Sequence, residues 1–382
     1  MIARRLSLTD FRNYEELELD LEPGASLFLG SNGHGKTNLV EALSFLSTLG
    51  SHRTSSDLPL IRHGKAAAII RAQLANGERT VLAEVEINRE GSNRARINRS
   101  PIKVRDLPRS FASVLFAPED LTLVRGEPAG RRSFLDHLLG LRNPRMLAVL
   151  ADYDRVLRQR NSLLKTARAS RISSSQLGTL DIWDARLVEF GAQIITARAE
   201  LTQELLPFVA QAYGTVAGAE HEVSLAATLS IYATKEGMNG SADSASTGPV
   251  DDDFAAAVRM NRRAELERGV TLVGPHRDDL VITLNQLPAR SYASHGESWS
   301  LALSLKLASA ELLRVNSPLG DPVLILDDVF AELDSSRRGK LSTAIAGFEQ
   351  VLITAAVLAD VPHNLRERVI HIRAGKVVAP DE

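Results

Sequence analysis

The sequence predicts an α/β fold in which two strand-rich ends of the chain enclose a helical middle. Near the N-terminus, "RRLSLTDF" and "EELELDLEPG" alternate apolar with polar residues, which predicts two strands with one buried face. From about residue 130 to about 235, apolar residues recur at three- and four-residue spacing, which predicts helices. Strand patterns return in "LVITLN", "PVLILDD", "QVLITAA" and "VIHIRAGKVV". We therefore expect residues 1–125 and 270–382 to form one α/β domain, with residues 126–269 inserted as a helical domain.

The composition is that of an ordinary soluble globular protein. Of the 382 residues, 44% are hydrophobic and 24% are charged, and none is cysteine. Disulfides and thiolate metal sites are therefore excluded, which fits a cytoplasmic protein. Charges interrupt every long apolar run, so no membrane span is predicted. The start, "MIARRLSLTDF", lacks the apolar segment of a secretory signal.

Short strands and polar breaks connect the larger elements. "AAAIIRAQL", "TVLAEVEIN" and "RARINRSPIKV" predict further strands, joined by turns at "ANGE" and "EGSN". "TARASRISSSQLGT" predicts a polar loop that divides the helical middle. Residues 236–253, "EGMNGSADSASTGPVDDD", contain little to bury and predict disorder.

The loop "GSNGHGKTN", residues 30–38, predicts a phosphate-binding site. It fits the pattern G-x-x-x-x-G-K-[ST] between an apolar run and a helical pattern. In such a loop backbone N–H groups surround the phosphates, the lysine reaches the β- and γ-phosphates, and the hydroxyl holds Mg²⁺. We therefore expect a nucleoside triphosphate with Mg²⁺ to be bound by Gly30, Ser31, Asn32, Gly33, His34, Gly35, Lys36, Thr37 and Asn38.

The segment "DPVLILDDVFAELD" predicts the second half of that site. Apolar residues from Val323 to Leu326 form a buried strand pattern that ends in Asp327 and Asp328. This is the Walker B pattern, in which the first acid binds Mg²⁺ and the second orients or activates the attacking water. An ordinary strand that stops at an acidic turn has the same letters. Two adjacent carboxylates are costly without a nearby cation, however, which favours the metal interpretation.

A third motif, "SYASHGESWSLALSLKLASAELL", narrows the class of nucleotide-binding protein. A long amphipathic helix is predicted to start at or just after Ser294, Gly296 and Glu297. A serine and a glycine at a helix start offer hydroxyl and backbone donors to an anion. In ABC-type ATPases an S-x-G-[QE] signature of one subunit closes over the γ-phosphate held by the other. A plain helix N-cap explains Ser294 equally well. The position between the two Walker motifs, with "AELD" following as a D-loop, favours the signature.

Positive charge is concentrated in one part of the chain. The segment from Arg89 to Arg171 carries eighteen Lys and Arg against eight Asp and Glu, in a chain of net charge −2. This asymmetry suggests a phosphate-bearing partner, although arginines that only solvate helix surfaces give the same count. We expect such a partner to contact Arg94, Arg96, Arg99, Lys103, Arg105, Arg131 and Arg132.

Taken together, the motifs resemble the RecF family of bacterial recombination mediators, which is related to structural-maintenance-of-chromosomes ATPases. The matching text is "LTDFRNY", "GSNGHGKTNLVEAL", "SHR", "VLFAPEDLTLVRGEPAGRRSFLD", "RVLRQRNSLLK", "DIWD", "GPHRDDL", "SHGES" and "LILDDVFAELD". It extends over nearly the whole chain, except about residues 215–265. The fold class that follows is an α/β, ABC-type (P-loop) ATPase head with an inserted helical arm.

The resemblance implies an activity and partners. It implies ATP-dependent homodimers, binding to gapped or single-strand–duplex junction DNA, and cooperation with RecO and RecR in loading RecA. By the same resemblance Asp327 holds magnesium, Asp328 takes the water-activating position, and Ser294 to Glu297 form the signature acting in trans. Arg12 and Asn13 of "FRNY" are implied nucleotide contacts.

The chain departs from the ABC pattern at three places. Glu297 stands where the signature usually has glutamine, and Asp328 is one methylene shorter than the usual glutamate, which suggests slow hydrolysis. "LFAPEDL" lacks the glutamine of the usual glutamine loop; Glu119 and Asp120 are its possible substitutes. His276 of "GPHRDD" is expected to be structural, since no pattern of zinc ligands surrounds it.

Three other functions stay open from the sequence. An ATP-gated DNA clamp with negligible turnover would have the same motifs. The nucleotide-binding subunit of an ABC transporter would need a glutamine loop and a shorter distance between Walker A and signature. A phosphoryl-transferring kinase would need an acceptor site and lid arginines near the loop.

Overall fold

The computed structural model describes residues 1–170, 178–218, 221–232, 249–316 and 320–379. Its contacts divide the chain into two compact units. Unit 1 comprises Met1–Leu121, Phe208–Glu220 and His295–Glu382, and unit 2 comprises Thr122–Pro207 and His221–Ser294. The domain boundaries expected from the sequence, after residues 125 and 269, stay a prediction.

Two predictions for the helical middle are partly wrong. Residues Val223–Thr228 form a strand because they pair with Asp279–Leu284, and a helix continues to Ser170, inside the predicted polar loop 166–179, whose residues 171–177 lie outside the described residues. In chain order, the helices of the described residues are α1 (Lys36–Thr48), α2 (Leu121–Arg125), α3 (Pro128–Arg142), α4 (Pro144–Ser170), α5 (Gly178–Ala217), α6 (Val250–Arg268), α7 (Ala289–Tyr292), α8 (His295–Asn316) and α9 (Ser335–Ile345). Short 3-10 turns lie between several of them, including Val104–Ser110 and Val329–Glu332.

Unit 1 contains two six-stranded sheets. The first is antiparallel and consists of β1 (Ile2–Phe11), β2 (Tyr14–Asp20), β4 (Ala67–Asn76), β5 (Arg79–Asn88), β6 (Arg94–Ile97) and β7 (Ser100–Ile102) in the order β2-β1-β4-β5-β6-β7. The second consists of β3 (Gly24–Leu29), β8 (Ser113–Phe116), β12 (Val323–Asp327), β13 (Gln350–Ala355), β14 (Val369–Arg373) and β15 (Lys376–Val378) in the order β15-β14-β3-β13-β12-β8. All its pairs are parallel except β14 with β15. Both ends of the chain therefore contribute strands to one sheet.

The main core of unit 1 surrounds α1. Leu39, Val40, Leu43 and Leu46 are buried on this helix and belong to one apolar cluster with residues of both sheets. The helix contacts β4 of the antiparallel sheet and β12 and β13 of the parallel sheet. Because its apolar face is fixed by this core, the first turn of α1 has a fixed position at the carboxyl end of β3.

Unit 2 contains a three-stranded antiparallel sheet, β11-β10-β9, with β9 (Val223–Thr228), β10 (Asp279–Leu284) and β11 (Leu287–Pro288). Its helices carry buried charges as well as apolar residues. Arg160 on α4 is fully buried and donates to Asp184 at 2.6 Å, to Glu265 at 2.6 Å and to the Thr271 hydroxyl at 2.8 Å. A buried arginine with its donors engaged in this way fixes the packing of the helices that supply its partners.

Part of the expected disorder is wrong. Residues 236–248 of that segment lie outside the described residues. Residues 250–253, however, form the first turn of α6, with Pro249 at its N-cap and Asp251, Asp252 and Asp253 in the first turn. Acidic side chains at a helix N-terminus interact favourably with the helix dipole, so this cluster is a helix start.

Candidate nucleotide-binding site

The phosphate-binding loop connects β3 to α1, as the sequence predicts, and its glycines are required by close approach and by backbone angle. A Cβ at residue 30 would lie 2.2 Å from the carbonyl oxygen of Ile372. Gly33 and Gly35 have φ of 81° and 107°, backbone angles that residues other than glycine rarely adopt. Ser31, Asn32 and Gly33 are exposed, so the loop is open to a ligand.

Lys36 is the first residue of α1, and it is almost fully buried, with 3% of its surface exposed. Among the described residues its ammonium group has one hydrogen bond, a long one of 3.4 Å to the Ser31 carbonyl oxygen. A buried ammonium has three donors, so most of its hydrogen-bonding capacity is left for an anion above the loop.

Asp327 ends β12 beside the start of α1. Its Oδ1 accepts from the Thr37 hydroxyl at 3.0 Å and from the Thr354 hydroxyl at 2.7 Å. Thr354 lies opposite Asp327 on the neighbouring parallel strand β13. The two Walker motifs, 290 residues apart, therefore place a hydroxyl and a carboxylate in direct contact.

Asp328 follows directly and leaves the strand. Its φ of 52° turns the chain, and its N–H donates to the Thr354 hydroxyl at 2.9 Å. Burial raises the pKa of its carboxyl group, against the opposing effect of Lys36, and Asp327 raises it further. A carboxyl group with a raised pKa accepts a proton more readily than an exposed aspartate.

Arg12 and Asn13 occupy the turn between β1 and β2, next to the loop. Arg12 forms a two-pronged ion pair with buried Glu41 of α1, at 2.8 and 2.6 Å. Asn13 accepts from Asn38 at 2.7 Å and donates to the His34 carbonyl oxygen at 3.4 Å. Asn13 therefore contacts the loop itself, whereas the guanidinium of Arg12 is held by Glu41.

The signature residues stand at the start of α8. Ser294 precedes the helix, and Gly296 and Glu297 lie in its first turn. A Cβ at residue 296 would lie 2.8 Å from a guanidinium nitrogen of Arg337. Glycine therefore lets the guanidinium of Arg337 pack directly against the first turn of α8. A cation and the N–H groups of a helix start lie side by side there, an arrangement that suits an anion.

Most of the residues expected to contact DNA lie on the exposed edge of the antiparallel sheet. Arg94, Arg99, Lys103 and Arg105 are exposed, and Arg99 occupies the tight turn between β6 and β7. Arg96 is half-buried on the same edge, where it is paired with Glu84 at 2.6 Å.

Arg131 and Arg132 differ from that group. Arg131 is buried and binds both carboxylate oxygens of Asp279, at 2.7 and 2.9 Å, together with the carbonyl oxygens of Leu123 and Gly126. Arg132 donates to the Asp278 carbonyl oxygen at 2.7 Å. We therefore leave these two arginines out of any DNA-contacting surface, because their guanidinium groups hold unit 2 together.

Three residues near the loop were not found from the sequence. The Thr354 hydroxyl donates to the Asp327 carboxylate and accepts from the backbone N–H of Asp328, and Glu41 pairs with Arg12. His52 lies with its Nε2 3.8 Å from Asp327 Oδ2. Strand register pairs Thr354 with Asp327, and no sequence pattern gives that register. The motif "SHR" contains His52 but does not reveal its neighbour.

Asp120 is structural. Its carboxylate accepts from the N–H of Ala117 at 2.9 Å and pairs with Lys306 of α8 at 3.0 Å. The place of a glutamine loop is therefore occupied by a residue that ties β8 to α8.

Comparison with known proteins shows the family and the fold of the chain. Residues 2–373 match the family model described as the RecF/RecN/SMC N-terminal domain. The DNA replication and repair protein RecF of Clavibacter michiganensis is 60% identical, over 99% of this chain and 96% of the relative. The chain belongs to the RecF family. RecF of Leifsonia xyli is 58% identical over the full length of both chains.

Solved structures show the same fold. A structure of the recombination mediator RecF with ATP has a TM-score of 0.86 at 27% identity, covering 98% of this chain and 96% of that one. The Smc head domain of Pyrococcus furiosus has a TM-score of 0.54 at 15% identity and covers 98% of this chain. The expected ABC/SMC-like head fold is therefore confirmed. Among the helices of the described residues, none has the length and apolar character needed to cross a membrane.

Proposed function

We propose that this chain is an ATP-dependent recombination mediator of gap repair. In this proposal it binds ATP, forms a homodimer, binds gapped or single-strand–duplex junction DNA, and helps to load the recombinase. The observation that carries the proposal is the contact of Thr37 with Asp327, which completes a Walker site at the end of the phosphate-binding loop. The RecF–ATP structure, 27% identical, supports ATP as the nucleotide.

The loop supplies the nucleotide contacts. Backbone N–H groups from Gly30 to Asn38 and the ammonium group of Lys36 hold the phosphates. Asn13 and Asn38 line an open groove next to the loop, together with Arg53 and His63. We place the rest of the nucleotide in this groove, which Arg12 borders while paired with Glu41.

The oxygen atoms of Thr37 and Asp327 suit Mg²⁺. They are hard donors 3.0 Å apart, and Mg²⁺ is usually held by one or two protein oxygens together with phosphates and water. Across the described residues, no cluster of three or more metal-ligating side chains offers a full protein cage. Thr37 and Asp327 would therefore hold the ion, whose charge would offset that of the phosphates.

Hydrolysis is proposed to be slow, as in a weak, DNA-stimulated ATPase that acts as a switch. Asp328 is the residue that would orient or deprotonate water, and its side chain is one methylene shorter than glutamate. An ATP-gated clamp with negligible turnover is the second candidate, favoured by the same short side chain. The transporter subunit and the kinase gain no support from a chain of this family.

DNA is proposed to contact the exposed edge of the antiparallel sheet, at Arg94, Arg99, Lys103 and Arg105, with Arg96 beside them. Arg99, Lys103 and Arg105 form no ion pair within 4 Å among the described residues. Their positive charge is therefore available to phosphates. RecO, RecR and, indirectly, RecA are the proposed partners, in keeping with the RecFOR pathway named for the solved RecF. The proposed location is the cytoplasm.

Mixing two inactive variants tests the trans signature. Ser294→Arg should bind ATP as a monomer but fail to close the dimer, whereas Lys36→Met should lose the phosphate contact of its own loop. A heterodimer of the two has one intact composite site, so ATPase activity should return in the mixture. A Ser294→Arg protein that hydrolyses ATP normally by itself would contradict the trans arrangement.

Sedimentation velocity tests the proposal as a whole. We expect monomers without nucleotide, dimers with Mg-ATP, and a faster complex when gapped duplex is added. Fully paired duplex of the same length is the matched control. If the sedimentation coefficient is the same with and without ATP, the ATP-dependent dimer is wrong.

A further inference from the structure

His52 has an unusual environment for a histidine outside a core. Its side chain is 16% exposed, and both ring nitrogens are buried without a hydrogen-bond partner among the described residues. Buried polar atoms are nearly always paired, so two unpaired nitrogens on one ring require an explanation. The ring belongs to the segment that follows α1, close to the end of β12.

The two oxygens of the Asp327 carboxylate differ in their hydrogen bonds, and the oxygen that lies nearer to the His52 ring is the one that accepts none from the described residues. Both hydrogen bonds that the carboxylate accepts from described residues, from Thr37 and Thr354, end on Oδ1. His52 Nε2 lies 3.8 Å from Oδ2, beyond hydrogen-bond distance but close enough for a small shift or one bridging water to connect them. A donor on Oδ2 would complete the restraint that the two threonines begin on Oδ1.

We propose that His52 is a positioning residue of the nucleotide–magnesium site. Its Nε2–H donates to Asp327 Oδ2, directly or through one water, when the site is loaded, and so fixes the orientation of the carboxylate. Polar groups behind a metal ligand orient it in this way and are costly to remove. This inference rests on the proposed function, because it assumes that Asp327 holds the metal.

Manganese binding gives a readout that does not depend on hydrolysis. Mn²⁺ replaces Mg²⁺, and electron paramagnetic resonance counts free Mn²⁺ in the presence of protein and a non-hydrolysable ATP analogue. We expect His52→Leu to weaken Mn²⁺ binding to this complex by about 10- to 100-fold. Binding of the analogue in EDTA should be unchanged, because the phosphate contacts of the loop are intact. His363→Leu, at an exposed position of unit 1, is the matched control.

Two further variants separate positioning from packing. His52→Gln can place its amide nitrogen near the position of Nε2 and should restore most of the affinity, whereas His52→Asn is too short and should not. If the Leu variant does not fold, the Gln and Asn variants decide the question. Equal Mn²⁺ affinity in these two variants would overturn the proposal, as would parent-like affinity in His52→Leu.

Asp327→Asn distinguishes the failure of this inference from that of the proposed function. If Asp327→Asn loses Mn²⁺ while His52→Leu keeps it, the metal site stands and His52 has no part in it. If Asp327→Asn keeps Mn²⁺ at the parent's affinity, the metal site itself is misplaced, and the role of His52 falls with it.

Discussion

The loop region of unit 1 and the buried ion pairs of unit 2 use the same kinds of side chain in opposite ways. In unit 2, Arg160 and Arg131 are buried and their guanidinium groups are engaged by acids and carbonyl or hydroxyl oxygens. In unit 1, Lys36 is equally buried but has a single long hydrogen bond, and His52 has none among the described residues. The number of hydrogen-bond partners that a buried side chain already has therefore distinguishes a structural residue from one that is left to bind a ligand.

The largest effect should follow from breaking a satisfied pair in unit 2. Arg160→Met leaves the carboxylate of Glu265 buried without its cation, which should lower the free energy of unfolding by about 3–5 kcal/mol. Arg155→Met is the control, since Arg155 is exposed on the same helix and should cost less than about 0.5 kcal/mol. Urea unfolding of the two full-length variants measures the difference. Equal losses of unfolding free energy would contradict the structural role of the buried, paired arginine.

A middle-sized effect is expected at the proposed DNA surface. Each phosphate contact that is lost should flatten the slope of log K against log [salt] by about 0.9. Arg94→Glu with Arg99→Glu should therefore flatten it by up to about 1.8, measured by fluorescence anisotropy on gapped duplex. The control is Arg4→Glu with Arg79→Glu, which changes the net charge by the same amount at exposed positions of the same sheet. An identical slope in both double variants would mean that only net charge matters.

The smallest effect concerns pH and two neighbours in unit 2. Burial raises the pKa of Asp278 to about 6 and lowers the pKa of His276 to about 4. Folded Asp278 keeps a proton that the unfolded chain loses between about pH 4 and 6, so acid favours folding there. Folded His276 is neutral where the unfolded chain takes up a proton below about pH 6.5, so acid opposes folding.

These two contributions oppose each other in the parent, and Asp278→Asn removes only the first. The variant should lose about 1 kcal/mol more stability than the parent when the pH falls from about 7 to 5. Urea midpoints at the two pH values measure this. A variant whose midpoint changes with pH as the parent's does would show that Asp278 does not titrate in this range.

The sequence predicted the elements that carry local signals. A strand, a glycine-rich loop and a helix in succession predicted β3, residues 30–35 and α1, and four apolar residues before two acids predicted β12. Such motifs can be recognised in the sequence because backbone geometry and phosphate binding each require particular residue types at fixed, closely spaced positions. The role of DNA-facing residues in the same sequence stays a prediction.

What escaped prediction depends on pairing between distant segments. The charge count from Arg89 to Arg171 suggested a basic surface, yet Arg131 and Arg160 are neutralised by Asp279 and Glu265, which lie more than a hundred residues later. Likewise, Thr354 reaches Asp327 only because β13 and β12 pair in one register. Neither fact follows from composition or periodicity, because both are fixed by tertiary packing.

Calorimetric titration of Lys36→Met with Mg-ATP tests the central claim most directly. If the ammonium group is left unpaired for a phosphate, the variant should lose at least about 100-fold in ATP affinity, the loss of a charge-assisted contact of about 3 kcal/mol. Without nucleotide its thermal melting should match that of the parent, because few protein contacts depend on Lys36. A variant that binds ATP like the parent, or that melts as early as Arg160→Met, would contradict the account.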